Sequence, residues 1–314
     1  MTEPTPNPTD HATEPSMPAK RSAANAGPPP RAGFGPGGPG PLDTFAPDLF
    51  AGRVALITGG GTGIGRTTAL AFARFGADVV VAGRTEETLD DTAAAVRSTG
   101  RRCLVVPTNI RDVDQVDALR DRVYDELGRV DFLVNNAGGQ FPALPSDISD
   151  NGWRSVVDLN LNGTWNMVNR FMGPMTAAGF GAIVNVVHIF SFDRGSPWFV
   201  HSGAARAGVV SMTRSMAPYL GYHGVTINAL APGTVATAGM HENEVGQLGY
   251  SEDEWAVQAE AIGPMRRMAE ADEMAAIILF LCSPAARFVN GAALVADGSE
   301  SQSNWPRFFD RGDL

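Results

Sequence analysis

Basic charge, cysteine and long apolar runs are all scarce in this chain, and each scarcity closes off a class of protein. Lys plus Arg number 24 against 34 Asp plus Glu, giving a formal charge of −10 and a pI near 5.0. No basic surplus exists to neutralise phosphates, which argues against a nucleic-acid partner while leaving room for a local pocket that takes an anionic cofactor. The two cysteines, Cys103 and Cys282, lie in apolar runs with no CxxC or ligand-like spacing. They read as buried, reduced thiols in a reducing, cytoplasmic setting rather than as a disulfide framework. His11, His223 and His241 show no metal-ligand spacing either. No stretch of about 18 apolar residues is available to span a membrane, and the N-terminus has no apolar core of a secretion signal.

Proline is abundant only at the start: residues 1–48 hold 12 of the 22 prolines. That segment has too few large apolar residues to offset its ordering entropy, so it is expected to be a disordered tail, with a partner-binding arm as the alternative. Residues 49–314 are expected to form a single domain. Short apolar, β-branched runs recur at Val54–Thr58, Asp78–Ala82, Cys103–Pro107, Phe132–Asn135, Ala182–Val187, Thr226–Leu230 and Ala293–Ala296. Near-continuous apolar strands are what a parallel sheet covered on both faces requires. Helical periodicity fills the gaps, at Thr67–Phe75, Glu86–Thr99, Val113–Leu127, Trp153–Met172, Val209–Leu220 and Glu273–Leu281. The expected architecture is α/β, a doubly wound seven-stranded parallel sheet of the Rossmann kind. The polar, Glu-rich stretch 238–267 interrupts the alternation and is a candidate substrate lid, or else a purely structural excursion.

VALITGGGTGIGR runs from the first strand into the first helix. Gly59, Gly63 and Gly65 allow a tight turn and close approach to a pyrophosphate, which the helix N-terminus then faces with free N–H groups. The second strand ends in Gly83 and Arg84. An acidic residue there would hold a ribose 2′-hydroxyl, whereas an arginine fork matches a 2′-phosphate, so NADP(H) is the expected cofactor.

TGGGTGIG (58–65), NNAG (135–138), the NLNGT run from Asn160, APGTVAT (231–237) and NGAALVADG (290–298) resemble the ordered motif set of the short-chain dehydrogenase/reductase family. The resemblance implies a cofactor set of Thr58, Gly59, Thr62, Gly63, Ile64, Gly65, Arg84, Asn109, Ile110, Asn136, Ala137, Gly138, Pro232, Gly233, Val235 and Thr237. In that set Thr62 and Ile64 touch the phosphates, Asn109 and Ile110 flank the adenine, and Val235 and Thr237 hold the carboxamide. It also implies an oligomer, a dimer or tetramer built on the helices around Trp153–Met172 and Gly203–Leu220.

The family's usual catalytic set is a serine after the fifth strand, then a tyrosine and a lysine four residues later. Aligned through Met212–Arg214, this chain places Ser202 at the tyrosine and Arg206 at the lysine; counted from Asn185, it places His188 at the serine and His201 at the tyrosine. Neither count yields a tyrosine. The strings VHSGAARAGV, NNAGGQF and NWP (304–306) further resemble the peroxisomal trans-2-enoyl-CoA reductase branch, implying NADPH-dependent reduction of the C2–C3 double bond of an acyl thioester. Hydride addition to such a bond builds an enolate, which calls for hydrogen-bond donors at oxygen rather than a strong acid. Candidate residues are Asn160, which the resemblance makes an anchor for water, His188, His201, Ser202 and Arg206, the last also binding the cofactor ribose. Blander readings stand beside them: His201 as a packed or capping residue, His188 as a loop histidine, Ser202 as a helix N-cap. Two other functions remain open: a ketone or alcohol oxidoreductase with an atypical His/Ser site, and a non-catalytic nucleotide-binding subunit paired with an active relative.

Overall fold

A computed structural model describes residues 39–192, 194–237, 264–265 and 267–302. Seven strands form one sheet in the order β3-β2-β1-β4-β5-β6-β7, every neighbouring pair parallel. They are β1 (Val54–Thr58), β2 (Asp78–Gly83), β3 (Cys103–Pro107), β4 (Phe132–Asn135), β5 (Gly181–Val186), β6 (Val225–Pro232) and β7 (Ala293–Ala296). The helices are α1 (Gly63–Arg74), α2 (Glu86–Arg97), α3 (Val113–Leu127), α4 (Asp150–Val157), α5 (Gly163–Ala178), α6 (Val200–Tyr222) and α7 (Ala271–Cys282). The expected doubly wound architecture is the observed one.

Strand side chains alternate between two cores. Ala55, Ile57, Val79, Val81 and Phe132 face α1, α2 and α7 on one side. Leu56, Val80, Leu133, Ile183 and Ile227 face α3, α5 and the end of α6 on the other. With both faces covered, β1 is buried at all five positions, which explains why the strands read as unbroken apolar runs.

Two boundaries differ from expectation. The described end of the segment 1–48 is packed onto the domain: Pro41–Thr44 forms a 3-10 turn, Leu42 is buried, and Asp43 pairs with Arg74 at 2.7 Å. Phe45 packs on Phe75, and Phe50 joins Phe72 and Phe132 with ring centroids 5.1–5.5 Å apart. These few large apolar residues suffice to dock the segment, because α1 and α7 leave an apolar seat for them. The helix expected over Trp153–Met172 is two helices, α4 and α5, joined by a π-helical turn at Asp158–Asn162. Most of the candidate lid 238–267, the NWP string and residues 1–38 lie outside the described residues.

Candidate active site

The strands all point the same way, so their C-terminal ends share one edge, where open α/β sheets place their ligands. An open crevice there is lined by Gly59, Gly61–Ile64, Gly83–Thr85, Thr108–Ile110, Asn136–Gly138 and Thr237, among others. Gly65 does not line it but makes it possible. A Cβ at Gly65 would come within 2.5 Å of the Asn136 side-chain nitrogen and closer still to the Gly59 carbonyl. The Asn136 amide donates to the Thr58 and Gly59 carbonyls at 3.1 and 3.2 Å, and the Thr58 hydroxyl accepts from the N–H of Asn136 and of Ala137, both at 3.0 Å. Thr58 thus lies under the crevice as its fastening.

The donor chemistry of this crevice fits a dinucleotide. Thr62, the N-cap of α1, makes no side-chain bond to the first turn, so the helix faces the crevice with backbone N–H groups and its positive dipole end. Arg84 is exposed at the rim. Thr237 stands across the crevice from Gly63, whose Cβ would lie 3.3 Å from the Thr237 methyl. Val235 is buried in the core and bridged to Ala269, and Pro232 and Gly233 close β6 against β7, with Gly233 N–H donating to Ala296 at 3.0 Å. None of the three is among the residues that line the crevice.

Arg206 stands at the inner end of the crevice. Its Nη1 donates to the Val186 and Val187 carbonyls at 2.8 and 3.3 Å, and a side chain at Gly138 would collide with its Nη2. Asn160, on the π turn, is buried: its amide donates to the Gly139 and Val156 carbonyls at 2.8 Å, and its Oδ1 accepts the Gly139 N–H at 3.3 Å. Its side chain holds the loop after β4, whatever it does with water.

Ser202 and Arg206 sit one helical turn apart on α6, and His188 follows β5 after one intervening residue, beside Arg206. His188 accepts the Phe190 N–H on Nδ1 at 3.1 Å. Burial, reinforced by the Arg206 charge, pushes its pKa down to about 3. Ser202 is wholly buried and its hydroxyl donates to Gln140 Oε1 at 2.6 Å. His201 is also wholly buried, edge-on to Phe141 at 4.5 Å, with Nδ1 accepting the Ser202 N–H at 2.9 Å; burial lowers its pKa as well. Gln140 and Phe141 were missed as site residues, although they belong to the NNAGGQF string.

Two loops frame this corner, one after β4 and one after β5, joined where Ala143 N–H donates to the Trp198 carbonyl at 3.0 Å. Phe190 and Phe199 stack at 5.9 Å, and Leu144 and Trp198 are exposed at 40% and 43%. The corner is therefore apolar where the crevice is polar.

Residues 59–299 match the family described as Enoyl-(Acyl carrier protein) reductase. The peroxisomal 2,4-dienoyl-CoA reductase of Danio rerio is 37% identical over 256 residues, covering 81% of this chain and 83% of that one. The chain belongs to the short-chain dehydrogenase/reductase superfamily. It is an oxidoreductase of that superfamily, whose members use a nicotinamide dinucleotide. A cis-4-hydroxycyclohexanecarboxylate dehydrogenase of Sinomonas cyclohexanicum is 40% identical over 252 residues, 80% of this chain and 97% of that one. A citronellol catabolism dehydrogenase of Pseudomonas aeruginosa PAO1 shares the fold with a TM-score of 0.71 at 36% identity, covering 82% of this chain and 99% of that one. The narrower resemblance to trans-2-enoyl-CoA reductase is corrected by these relatives: the thioester reductases among them act on 2,4-dienoyl-CoA. A short string such as HSGAAR does not by itself fix a substrate.

Proposed function

We propose that the protein is an NADP(H)-dependent reductase of conjugated acyl thioesters, 2,4-dienoyl-CoA being the first substrate to try. The observation that carries this reading is the pair on α6: Ser202, buried against Gln140, and Arg206 stand one turn apart. The chain's single lysine is Lys20, far from this helix in sequence. A ketone becoming an alkoxide needs a strong acid at hand. Arginine does not release a proton, and a serine hydroxyl is a poor acid. A conjugated thioester makes a lesser demand, because the negative charge spreads to the carbonyl oxygen and hydrogen-bond donors suffice. The name of the Danio rerio relative includes a (3E)-enoyl product. A 2,4-dienoyl chain that ends as a 3-enoyl one has gained hydrogen at its second and fifth carbons.

In this reading the dinucleotide, when bound, supplies hydride. The α1 N-terminus and Gly59–Ile64 hold its pyrophosphate, Arg84 its 2′-phosphate, Asn109 and Ile110 its adenine, Asn136–Gly138 the ribose side, and Arg206 the nicotinamide ribose. Phe190, Phe199 and Trp198 exclude water from the acyl chain. Self-association through α5 and α6, as a dimer or tetramer, belongs to the same proposal: Trp165, Tyr219 and Tyr222 are exposed there at 41%, 56% and 87%.

The test is NADPH consumption with 2,4-dienoyl-CoA, 2-enoyl-CoA and ketone panels, with product analysis. Turnover of the dienoyl thioester and weak or no turnover of ketones is expected; ketone turnover alone overturns the reading and favours the alcohol dehydrogenase alternative, which the Sinomonas relative supports. For the cofactor, Arg84→Ala should weaken NADPH binding tenfold to a hundredfold, the loss of about 1.5–3 kcal/mol of charge-assisted hydrogen bonding, and leave NADH binding unchanged in calorimetry. Equal binding of both dinucleotides by the unaltered protein overturns the phosphate assignment.

A further inference from the structure

Three side chains compete for the place beside the reacting atoms, and burial separates them. His201 and Ser202 are both 0% exposed. His188 alone of the three is partly exposed. It begins the connection after β5, at the sheet edge that carries the ligand. Its ring is held against Phe190 at 4.3 Å and faces Phe199 at 6.3 Å. Because Nδ1 accepts the Phe190 N–H, a neutral ring must carry its one proton on Nε2. That Nε2 makes no hydrogen bond to a described residue, and the residue as a whole is half-buried.

We propose that His188 is the hydrogen-bond donor to the substrate's carbonyl oxygen, through an Nε2–H that the Phe190 amide pins in place, and that it delivers no proton to carbon. This rests on the reductase reading above and deepens it. Arg206, the cation beside His188 on α6, opposes formation of an imidazolium, in the same direction as burial. Across the neutral range the ring therefore has a donor to offer and no proton to give away.

The remaining steps balance with water. The reduced dinucleotide, when bound, would supply the hydride that closes a C–H bond at the far end of the conjugated chain and would itself become oxidised. The π electrons move to the thioester oxygen, where the Nε2–H stabilises them. They return to form the α C–H bond with a proton from water, and the hydroxide left behind is neutralised by solvent.

Two measurements test this. In protein labelled with 15N-histidine, long-range proton–nitrogen spectra assigned with His188→Asn should show His188 as the Nε2–H tautomer, unchanged from about pH 5 to 8. A proton on Nδ1, or a titration in that range, overturns the proposal whatever the substrate proves to be. His188→Asn places a carbonyl oxygen where Nδ1 accepts the Phe190 N–H but puts no donor at the Nε2 position. It should fold and bind NADPH as the parent does, and lose on the order of 100-fold to 1000-fold in kcat. His188→Gln, whose amide nitrogen reaches the Nε2 position, should recover part of the loss. A His188→Asn variant with unreduced kcat overturns the proposal. A parent protein that reduces no conjugated thioester instead overturns the functional reading, and the spectra still decide the tautomer.

Discussion

His188 leaves a mark on stability as well as on chemistry. Its pKa in the fold is about 3 against an ordinary 6.5. Between those two values the unfolded chain binds a proton that the folded chain does not, so stability is complete above 6.5 and falls as pH drops toward 3. His201, lowered by burial, acts in the same direction. Each contributes a slope of at most about 1.4 kcal/mol per pH unit within its window. Chemical unfolding at several pH values between 4 and 7 should therefore show declining stability on acidification, and His188→Asn should flatten that decline. Sequence counting names Ser202 with Arg206 on one alignment and His188 with His201 on the other, and the two counts differ by one residue. In the structure His188 lies beside Arg206, Ser202 stands one turn before Arg206 on α6, and His201 is turned edge-on to Phe141. The partnership of Ser202 with Gln140, 62 positions away, had no local signal at all.

Among the elements, the π turn at Asp158–Asn162 does the most for the site. An α-helix running straight from α4 into α5 would carry Asn160 in regular register; the extra residue per turn is a common device near functional sites. Asn160→Ala would leave the Gly139 N–H and carbonyl without their partner. The expected cost is about 1–3 kcal/mol of stability, seen in thermal or denaturant unfolding, together with weaker dinucleotide binding. Asn160→Ala with unaltered stability and binding would show that the loop holds its own shape. This joint was invisible to periodicity, which read Trp153–Met172 as one helix because a π turn preserves the apolar stripe on either side. Strands were far more legible. β1, β3, β4 and β7 have the expected bounds, and the others differ by one or two residues, because burial on both faces writes each as an apolar run bounded by turns.

At the scale of the molecule, one parallel sheet separates two cores, and both buried thiols sit in the one that packs against α1, α2 and α7. Cys103 is buried at the start of β3 and Cys282 at the end of α7, both as free thiols. Burial raises the Cys103 thiol to about 11 and pushes Cys282 up as well, so neither offers a thiolate near neutral pH. The proposed assembly through α5 and α6 predicts that the protein elutes at a multiple of 33.1 kDa. Replacing Trp165 and Tyr222 together by Glu should shift it to the monomer, measured by light scattering, and a parent protein that is already monomeric removes the assembly. Among the described residues no helix is long and apolar enough to cross a membrane.

The Asn160 clamp on Gly139 has one more effect. Because the strip of backbone under the cofactor is already bonded to the protein itself, an arriving dinucleotide has little left to organise there. Binding at that wall should cost little conformational entropy, and the loop amides should exchange with deuterium slowly even in the ligand-free protein.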